Sequence, residues 1–320
     1  MKKKFLDLLC CPNTHKNLTL IDPVIQGDNI VSGLLIADKF KYKIEGGIPR
    51  FVDDNNYSKN FNWQWNKWSR TQFENENLGK SMEGYTKDMF EKITELSSSK
   101  IKDQTVLDIG CGAGRFVDIV LEKGGIPVAI DNSNAIDTAK KNFANRSEEI
   151  LFIQADALKL PFKKECIDFA YSIGVLHHTP YPEKGIEEAF RVIRYGGELA
   201  VSVYSKKGYY TFPTVNLWRK FFQFLSPVFG YYPALIYSNL FGIINFTLAK
   251  IYKPLSYPTR IFFPTICLPD LKWSILDTFD SITPSYQSGH SLYEVSKWFL
   301  NSKFFNLRIA AWENIIGKKQ

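Results

Sequence analysis

The chain is poor in several features that would assign it a class at once. Its five cysteines, Cys10, Cys11, Cys111, Cys166 and Cys267, are an odd number at no disulfide spacing, which argues against a disulfide scaffold and suits a reducing compartment. It has no internal repeat and no low-complexity tract. The start, MKKKFLDLLCCP, is basic, but Asp7 and Pro12 interrupt an apolar stretch already too short for a signal peptide, so the expected location is the cytoplasm. Basic residues are scattered and no recognition module is present, so nucleic acid is not an expected partner. What remains is ordinary globular material: 320 residues, 45% hydrophobic and 23% charged, enough for one sizeable core and a smaller module. The formal charge of +7 fits either an anionic partner, such as membrane headgroups or an acidic metabolite, or a solvated lysine-rich surface.

The most informative segment is Thr105 to Arg115, TVLDIGCGAGR. Val106, Leu107 and Ile109 suit a strand buried on both faces, and Gly110, Gly112 and Gly114 let the backbone turn and approach a ligand. Phe116, Val117, Val120 and Leu121 follow at helical spacing, so the loop leads into a helix N-terminus, where unpaired N–H groups face a guest. This predicts a nucleoside-cofactor site. A dinucleotide fingerprint, GxGxxG, would place its last glycine at 115, which is Arg115. Asp108 would repel a pyrophosphate but attract an ammonium group, and S-adenosylmethionine carries the ammonium without a phosphate. A second apolar strand, Ile126 to Ile130, ends in Asp131 and Asn132, with Asp131 placed to accept from ribose hydroxyls. A third, Leu151 to Gln154, leads to Asp156 and Ala157, where a carboxylate suits the adenine amine and LKLPF, Leu158 to Phe162, supplies apolar cover. A fourth, Ile167 to Ser172, runs into Ile173 and Val175-Leu176-His177-His178, beside the reacting group. A helix over 183–193 and a fifth strand through Tyr204 follow.

In order, DIGCGAG, AIDNS, QADALKLPF, SIGVLHHTP and RYGGELAVSVY resemble the class I S-adenosylmethionine-dependent methyltransferases over about Phe61 to Lys318. The resemblance implies an α/β, doubly wound, seven-stranded and mostly parallel sheet, with the final strand antiparallel. Asp108, Gly110, Cys111, Gly112, Asp131, Asn132, Asp156, Ala157 and Ile173 would hold the cofactor. Residues 1–56 read as a small β-rich module, with strands at Leu18 to Ile21, Val31 to Ile36 and Phe40 to Ile44. LLCCPNTHKNLTL and YKIEGGIPRFV resemble the zinc-ribbon-like module that activates tRNA methyltransferases and is fused to some small-molecule methyltransferases. Cys10, Cys11 and His15 stand near the first ligand pair but Leu34 to Phe40 offers no cysteine for the second, so the four ligands of a structural zinc are incomplete and no metal is expected.

Residues 57–320 would form the methyltransferase domain. Phe61, Trp65 and Trp68 at i, i+4, i+7 predict a helix packed on a core, while Trp63, Gln64, Arg70 and Gln72 offer a lid over the crevice. From Phe221 to Ala249 there is no charged residue, but prolines, glycines and polar side chains interrupt the stretch, so about 205–275 is expected as a helical insertion capping the acceptor site. Peripheral membrane contact through Arg219, Lys220, Lys250 and Lys253 is the other reading of that segment. Ser291 to Glu294 is a capping box opening a helix. A DxxxPxY…HS segment before it is similar to one that folds over the acceptor pocket in such enzymes, implicating Tyr286 and His290.

Transfer from a sulfonium demands positioning and exclusion of water, plus removal of a proton when the acceptor is a hydroxyl or amine. His178 is the first candidate base, with His177 beside it. Tyr204, Tyr286 and His290 are candidates for acceptor contact, and both histidines also fit a helix cap or pocket lining. The acceptor expected is a small molecule, sugar-linked or lipid-linked by family analogy. A quinone-type ring methyltransferase, an NAD-dependent oxidoreductase and a non-catalytic partner of another methyltransferase are the competing readings.

Overall fold

The computed structural model describes residues 1–52, 58–311 and 314–320. Eleven strands form one sheet: β1 (Thr19–Gln26), β2 (Asn29–Ala37), β3 (Phe40–Glu45), β4 (Ile48–Arg50), β5 (Thr105–Ile109), β6 (Ile126–Asp131), β7 (Leu151–Gln154), β8 (Ile167–Ile173), β9 (Ile193–Ser202), β10 (Phe304–Ala310) and β11 (Asn314–Lys319). Their order is β1-β2-β3-β4-β7-β6-β5-β8-β9-β11-β10. Pairing is parallel from β4 through β9 and antiparallel at both ends, with β11 antiparallel to both its neighbours. The chain winds outward from β5 through β6 to β7, returns to β8, and winds the other way. The crevice at the carboxyl ends of β5 and β8 is therefore the topological switch point where ligands bind such sheets.

Alternation along the strands divides the core. Leu107, Ile109, Val128 and Ile130 face one layer with Ile186, Ala189 and Val192 of helix Pro182–Val192 and Phe299 of helix Leu292–Asn301. On the other face, Val106 packs with Phe116 and Val120 of helix Arg115–Glu122, and Ala129 and Phe152 pack with Ile136 and Ala139 of helix Ala135–Asn142. The Ser291–Glu294 capping box is formed, with Ser291 Oγ accepting from Glu294 N and Glu294 accepting from Ser291 N at 2.8 Å.

The sequence reading needs one correction here: the sheet has eleven strands rather than seven. The β-rich unit expected for residues 1–56 shares the sheet, joined by the short strand β4, which was not foreseen. β7 would otherwise end the parallel sheet with unpaired backbone groups, and β4 covers that edge in the register Arg50↔Gln154. Arg50 donates to both oxygens of Asp137 at 2.7 and 3.1 Å and to Gln154 Oε1 at 2.8 Å, fixing the junction. The boundary expected at 56/57 lies outside the described residues. Among the described residues, no group of three or more His, Cys, Asp or Glu side chains is placed to hold a metal ion.

Candidate active site

The loop after β5 is built on left-handed glycines: Gly110 at φ +84°, Gly112 at +55° and Gly114 at +95°. All three also lack room for a side chain, with Phe143 2.8 Å from a Cβ placed on Gly114. A Cβ on Gly110 would fall 2.4 Å from Val175, and one on Gly112 would fall 2.8 Å from the Trp65 indole. The amides of Gly110 and Cys111 donate to Ile130 O at 2.9 and 2.8 Å, which ties the loop to β6. Asp131, at the end of β6, accepts from Gly112 N at 2.9 Å, Ser133 N at 2.8 Å and Ser133 Oγ at 2.7 Å. A carboxylate has about four acceptor positions, so roughly one is left for a guest.

A cavity of about 310 Å³ opens over this loop. Gly110, Cys111, Gly112, Asp131, Asn132, Ala157 and Ile173 lie on its wall, as do His178 and Tyr204. Other expected residues do not. Asp108 is buried behind the loop, because alternation along β5 turns it away from the opening, and its Oδ2 has no hydrogen-bond partner. Burial, opposed by the nearby Tyr171 hydroxyl and reinforced by Asp131, raises its pKa to about 8. Asp156 is off the wall, and its carboxylate accepts from Leu158 N at 2.9 Å within its own turn. Leu160 and Phe162 are fully buried in the main core and give a cavity guest no cover. The aromatic cover comes from Phe61 and Trp65 of helix Lys59–Lys67 and from Trp68 at its C-cap, with Phe73 beyond it. The core-facing stripe of that helix is thus the stripe that lines the cavity. Gln64 and Gln72 reach the cavity as well. Trp63 instead packs on Phe279 and Tyr231, and Arg70 pairs with Glu76 at 2.8 Å.

At the other end of the cavity stands helix Leu271–Ile282, N-capped by Asp270, whose side chain accepts from Trp273 N at 3.1 Å. It presents Trp273, Leu276, Asp277 and Asp280 at i, i+3, i+4, i+7 spacing. Asp280 accepts from Gln64 Nε2 at 2.9 Å and from the Tyr204 hydroxyl at 3.0 Å, so three separate segments converge on one carboxylate. Burial, then the charge of Asp280, pushes Asp277 up to about 7, with Arg115 opposing. Arg115 is itself on the wall, its guanidinium over the Phe116 ring. Asp277, Asp280, Arg115 and Tyr210 were not anticipated. The signal for the first two was a pair of acids three apart in the apolar run WSILDTFDSI, a spacing that puts both on one helix face.

The two histidines differ. His177 is fully buried behind Tyr204, its ring stacked on the tyrosine at 3.7 Å, and its Nδ1 accepts from Tyr204 N at 3.3 Å, so it does not line the cavity. His178 Nδ1 lies 3.0 Å from the carbonyl oxygen of Tyr286. A carbonyl only accepts, so Nδ1 carries the proton and Nε2, which has no partner, holds the lone pair. Burial lowers the His178 pKa, keeping the ring neutral. The Tyr286 and His290 side chains are off the wall. Tyr286 acts here through its backbone, and His290 is held by Ser288 Oγ at 2.7 Å. The helices Pro213–Phe229 and Tyr232–Ile251 of the insertion also contribute nothing to the wall; they pack behind helix Leu271–Ile282.

The protein-family comparison decides what this loop and crevice belong to. Residues 107–201 match the methyltransferase-domain family. Over 117 residues the chain is 32% identical to a tRNA (carboxymethyluridine(34)-5-O)-methyltransferase of Arabidopsis thaliana, covering 36% of this chain and 27% of that protein. It is 30% identical to the chloroplastic 2-methyl-6-phytyl-1,4-hydroquinone methyltransferase of the same plant, covering 36% and 34%. A third relative is the sterol 24-C-methyltransferase ERG6 of Saccharomyces cerevisiae, 31% identical over 30% of this chain and 26% of that one. Among solved structures, the YcgJ protein of Bacillus subtilis is 21% identical, with a TM-score of 0.36 over 42% of this chain and 58% of that one. The chain spans between a quarter and a half of the length of the first curated relatives it matches.

The methyltransferase domain is of class I, and S-adenosylmethionine is its methyl donor. The residues present fit that group. Gly110 and Gly112 bring bare backbone to the cavity wall, where Val175 and Trp65 leave no room for a Cβ, and Asp131 beside them keeps an acceptor position for a guest.

Proposed function

We propose that the protein transfers a methyl group from S-adenosylmethionine to a hydroxyl or amine of a small polar molecule in the cytoplasm, with His178 as general base. The observation that carries this reading is the His178 tautomer: on a residue that lines the cavity, a neutral ring is pinned through Nδ1 and its Nε2 lone pair is buried without a hydrogen-bond partner. The donor supplies an electrophilic methyl on a positively charged sulfur. The protein's part is then to place the acceptor, exclude water and take one proton at His178 Nε2 as the acceptor's bond to carbon forms and the carbon–sulfur bond breaks. The glycine cradle, Asp131 and Asn132 hold the donor, with Asp108 behind them. Asp280, fixed by Gln64 and Tyr204, and Asp277 with Arg115 orient the acceptor by hydrogen bonds. Trp65, Trp68 and Trp273 close the site against water.

Carboxylates, a guanidinium and amides on the acceptor side favour a hydroxyl-rich acceptor such as a sugar-linked intermediate over a plain quinone ring. The test is transfer of labelled methyl from the donor to nucleotide-sugar, lipid-linked sugar and quinol fractions, using the wild type and His178→Ala. Turnover should fall by roughly 10²–10⁴-fold in the variant, with donor affinity unchanged. Equal turnover removes His178 from the role. Donor binding without transfer to any fraction would favour a non-catalytic partner, and binding of NADH in place of the donor would favour an oxidoreductase.

A further inference from the structure

The insertion carries a surface that methyl transfer does not use. Helix Pro213–Phe229 turns Leu217, Phe221, Phe224 and Val228 to solvent at i, i+4, i+7, i+11. Helix Tyr232–Ile251 does the same with Ile236, Leu240 and Ile243. Phe224 and Val228 are 78% and 77% exposed, so these side chains are bare. Two adjacent helices with outward apolar stripes exceed what a water-facing surface normally shows. The opposite faces are committed to the body. The Tyr237 hydroxyl donates to Pro264 O at 3.2 Å, Asn245 Nδ2 donates to Thr265 Oγ1 at 2.9 Å, and Phe222 and Ala234 pack on Phe279 and Ile282.

Charge shows what covers the stripes. Between residues 199 and 269 there is no Asp or Glu, while Lys206, Lys207, Arg219, Lys220, Lys250, Lys253 and Arg260 are all cationic. These seven equal the chain's formal net charge of +7, so the remaining residues balance and the excess is confined to the insertion. Lys220 is exposed midway along helix Pro213–Phe229, and Lys250 and Lys253 are exposed around the C-terminal end of helix Tyr232–Ile251; such long side chains reach headgroups while neighbouring apolar residues enter the acyl boundary. A second copy of the chain fits poorly, because a two-fold contact would set these cations against themselves.

We propose that helices Pro213–Phe229 and Tyr232–Ile251 dock the protein on the surface of an anionic lipid bilayer. The helix Tyr232–Ile251 is long and apolar enough to cross a membrane, but Ala234 and Tyr237 pack it on Phe279 and Ile282 of helix Leu271–Ile282, so it lies in the interface. Helix Leu271–Ile282 packs on these two helices through Phe279 and Ile282 and lines the cavity through Asp277 and Asp280.

The test is flotation of the full chain with phosphatidylcholine vesicles, with and without phosphatidylglycerol, at low and high salt. Binding should be at least roughly tenfold stronger with the anionic lipid and should weaken with salt. The triple variant Lys220→Glu/Lys250→Glu/Lys253→Glu should lose the preference for anionic lipid. Phe224→Ser/Val228→Ser should lose binding on both vesicles, with S-adenosylhomocysteine affinity retained in both variants as the check on folding. Absence from floated vesicles overturns the proposal, as does equal binding to both vesicles that the lysine variant leaves unchanged. Sedimentation showing a dimer that Phe224→Ser/Val228→Ser dissolves would instead assign the surface to a second copy. Flotation is read without any acceptor, so its failure and the failure of methyl transfer are separate results.

Discussion

Asp108 gives the sharpest quantitative expectation. Its carboxyl is buried, one oxygen has no partner, and its pKa is raised to about 8, mainly by burial. At pH 6 about one molecule in a hundred then carries the charge, and at pH 9 about nine in ten. Asp108 lies behind the glycine loop rather than on the wall, so a donor ammonium would sense its charge across that loop; binding should then tighten as pH rises, by no more than about tenfold per unit below pH 8 and by about 100-fold at most from pH 6 to 9. The donor's own amino group titrates in the same range. The quantity to measure is therefore the ratio of affinities between wild type and Asp108→Asn, obtained calorimetrically with S-adenosylhomocysteine at each pH; the ligand's titration cancels in it. A ratio that stays constant from pH 6 to 9 refutes the assignment. The same group acts on stability with a definite sign. A carboxyl raised above its unfolded value of 3.8 binds more protons in the folded state. Its contribution to stability is therefore full below about pH 4, falls as pH rises through about 8 and is constant above. Without ligand, Asp108→Asn should melt higher than wild type at pH 8.5 and show less of an advantage, or none, at pH 5.

Gly112→Ala should abolish detectable donor binding while the chain still folds, because the new Cβ would stand 2.8 Å from the Trp65 indole at φ +55°; calorimetry at the wild-type concentration checks this, and unaltered affinity would mean the cradle is not the donor site. Tyr204→Phe removes one of the two donors to Asp280 and should raise KM for the acceptor severalfold with the donor Kd unchanged, since Gln64 keeps the carboxylate in place. Arg50→Ala breaks the contacts to Asp137 and Gln154 at the β4/β7 junction and should cost roughly 1–3 kcal/mol. It should also speed amide exchange in β2 and β3 ahead of β5, and uniform exchange across the sheet would show that the N-terminal strands do not open separately. For His178, the acid limb of kcat/KM should lie below the usual histidine value of about 6.5, because burial lowers its pKa; a limb above that value would assign the titration to another group.

The parts of this fold that follow a local rule were readable before any coordinates. β5 is a buried strand because Val106, Leu107 and Ile109 have nowhere else to go, and the turn after it needs glycine because three alternate positions, Gly110, Gly112 and Gly114, have positive φ. The Ser291 capping box was legible for the same reason. β4 was not: three residues, one of them a proline, make no periodic pattern, and the strand exists because β7 offers an edge. The cover over the donor site was misplaced by the same kind of non-locality. LKLPF is apolar enough to shield a ring, but Leu160 and Phe162 found a better burial in the main core, and the indoles of Trp65 and Trp68 took their place from a helix about ninety residues earlier in the chain.

The acceptor end shows why chemistry is harder to read than fold. Tyr286 and His290 stand out in the sequence because their DxxxPxY…HS segment resembles one that folds over the acceptor pocket, yet what Tyr286 gives the site is a carbonyl oxygen, which every residue has and no sequence displays. That oxygen fixes the proton on His178 Nδ1 and thereby makes Nε2 the available base, so the residue's side-chain identity matters less than where its backbone passes. Asp277 and Asp280 invert the case. Their identities were visible, but their meaning depends on Gln64 and Tyr204 arriving from 216 and 76 residues away to hold one carboxylate while burial and that neighbouring charge push the other up to about 7. Asp280, which accepts hydrogen bonds from Gln64 and Tyr204, and Asp277, able to donate one near neutral pH, stand within one helical turn as a means of orienting a hydroxyl-rich acceptor.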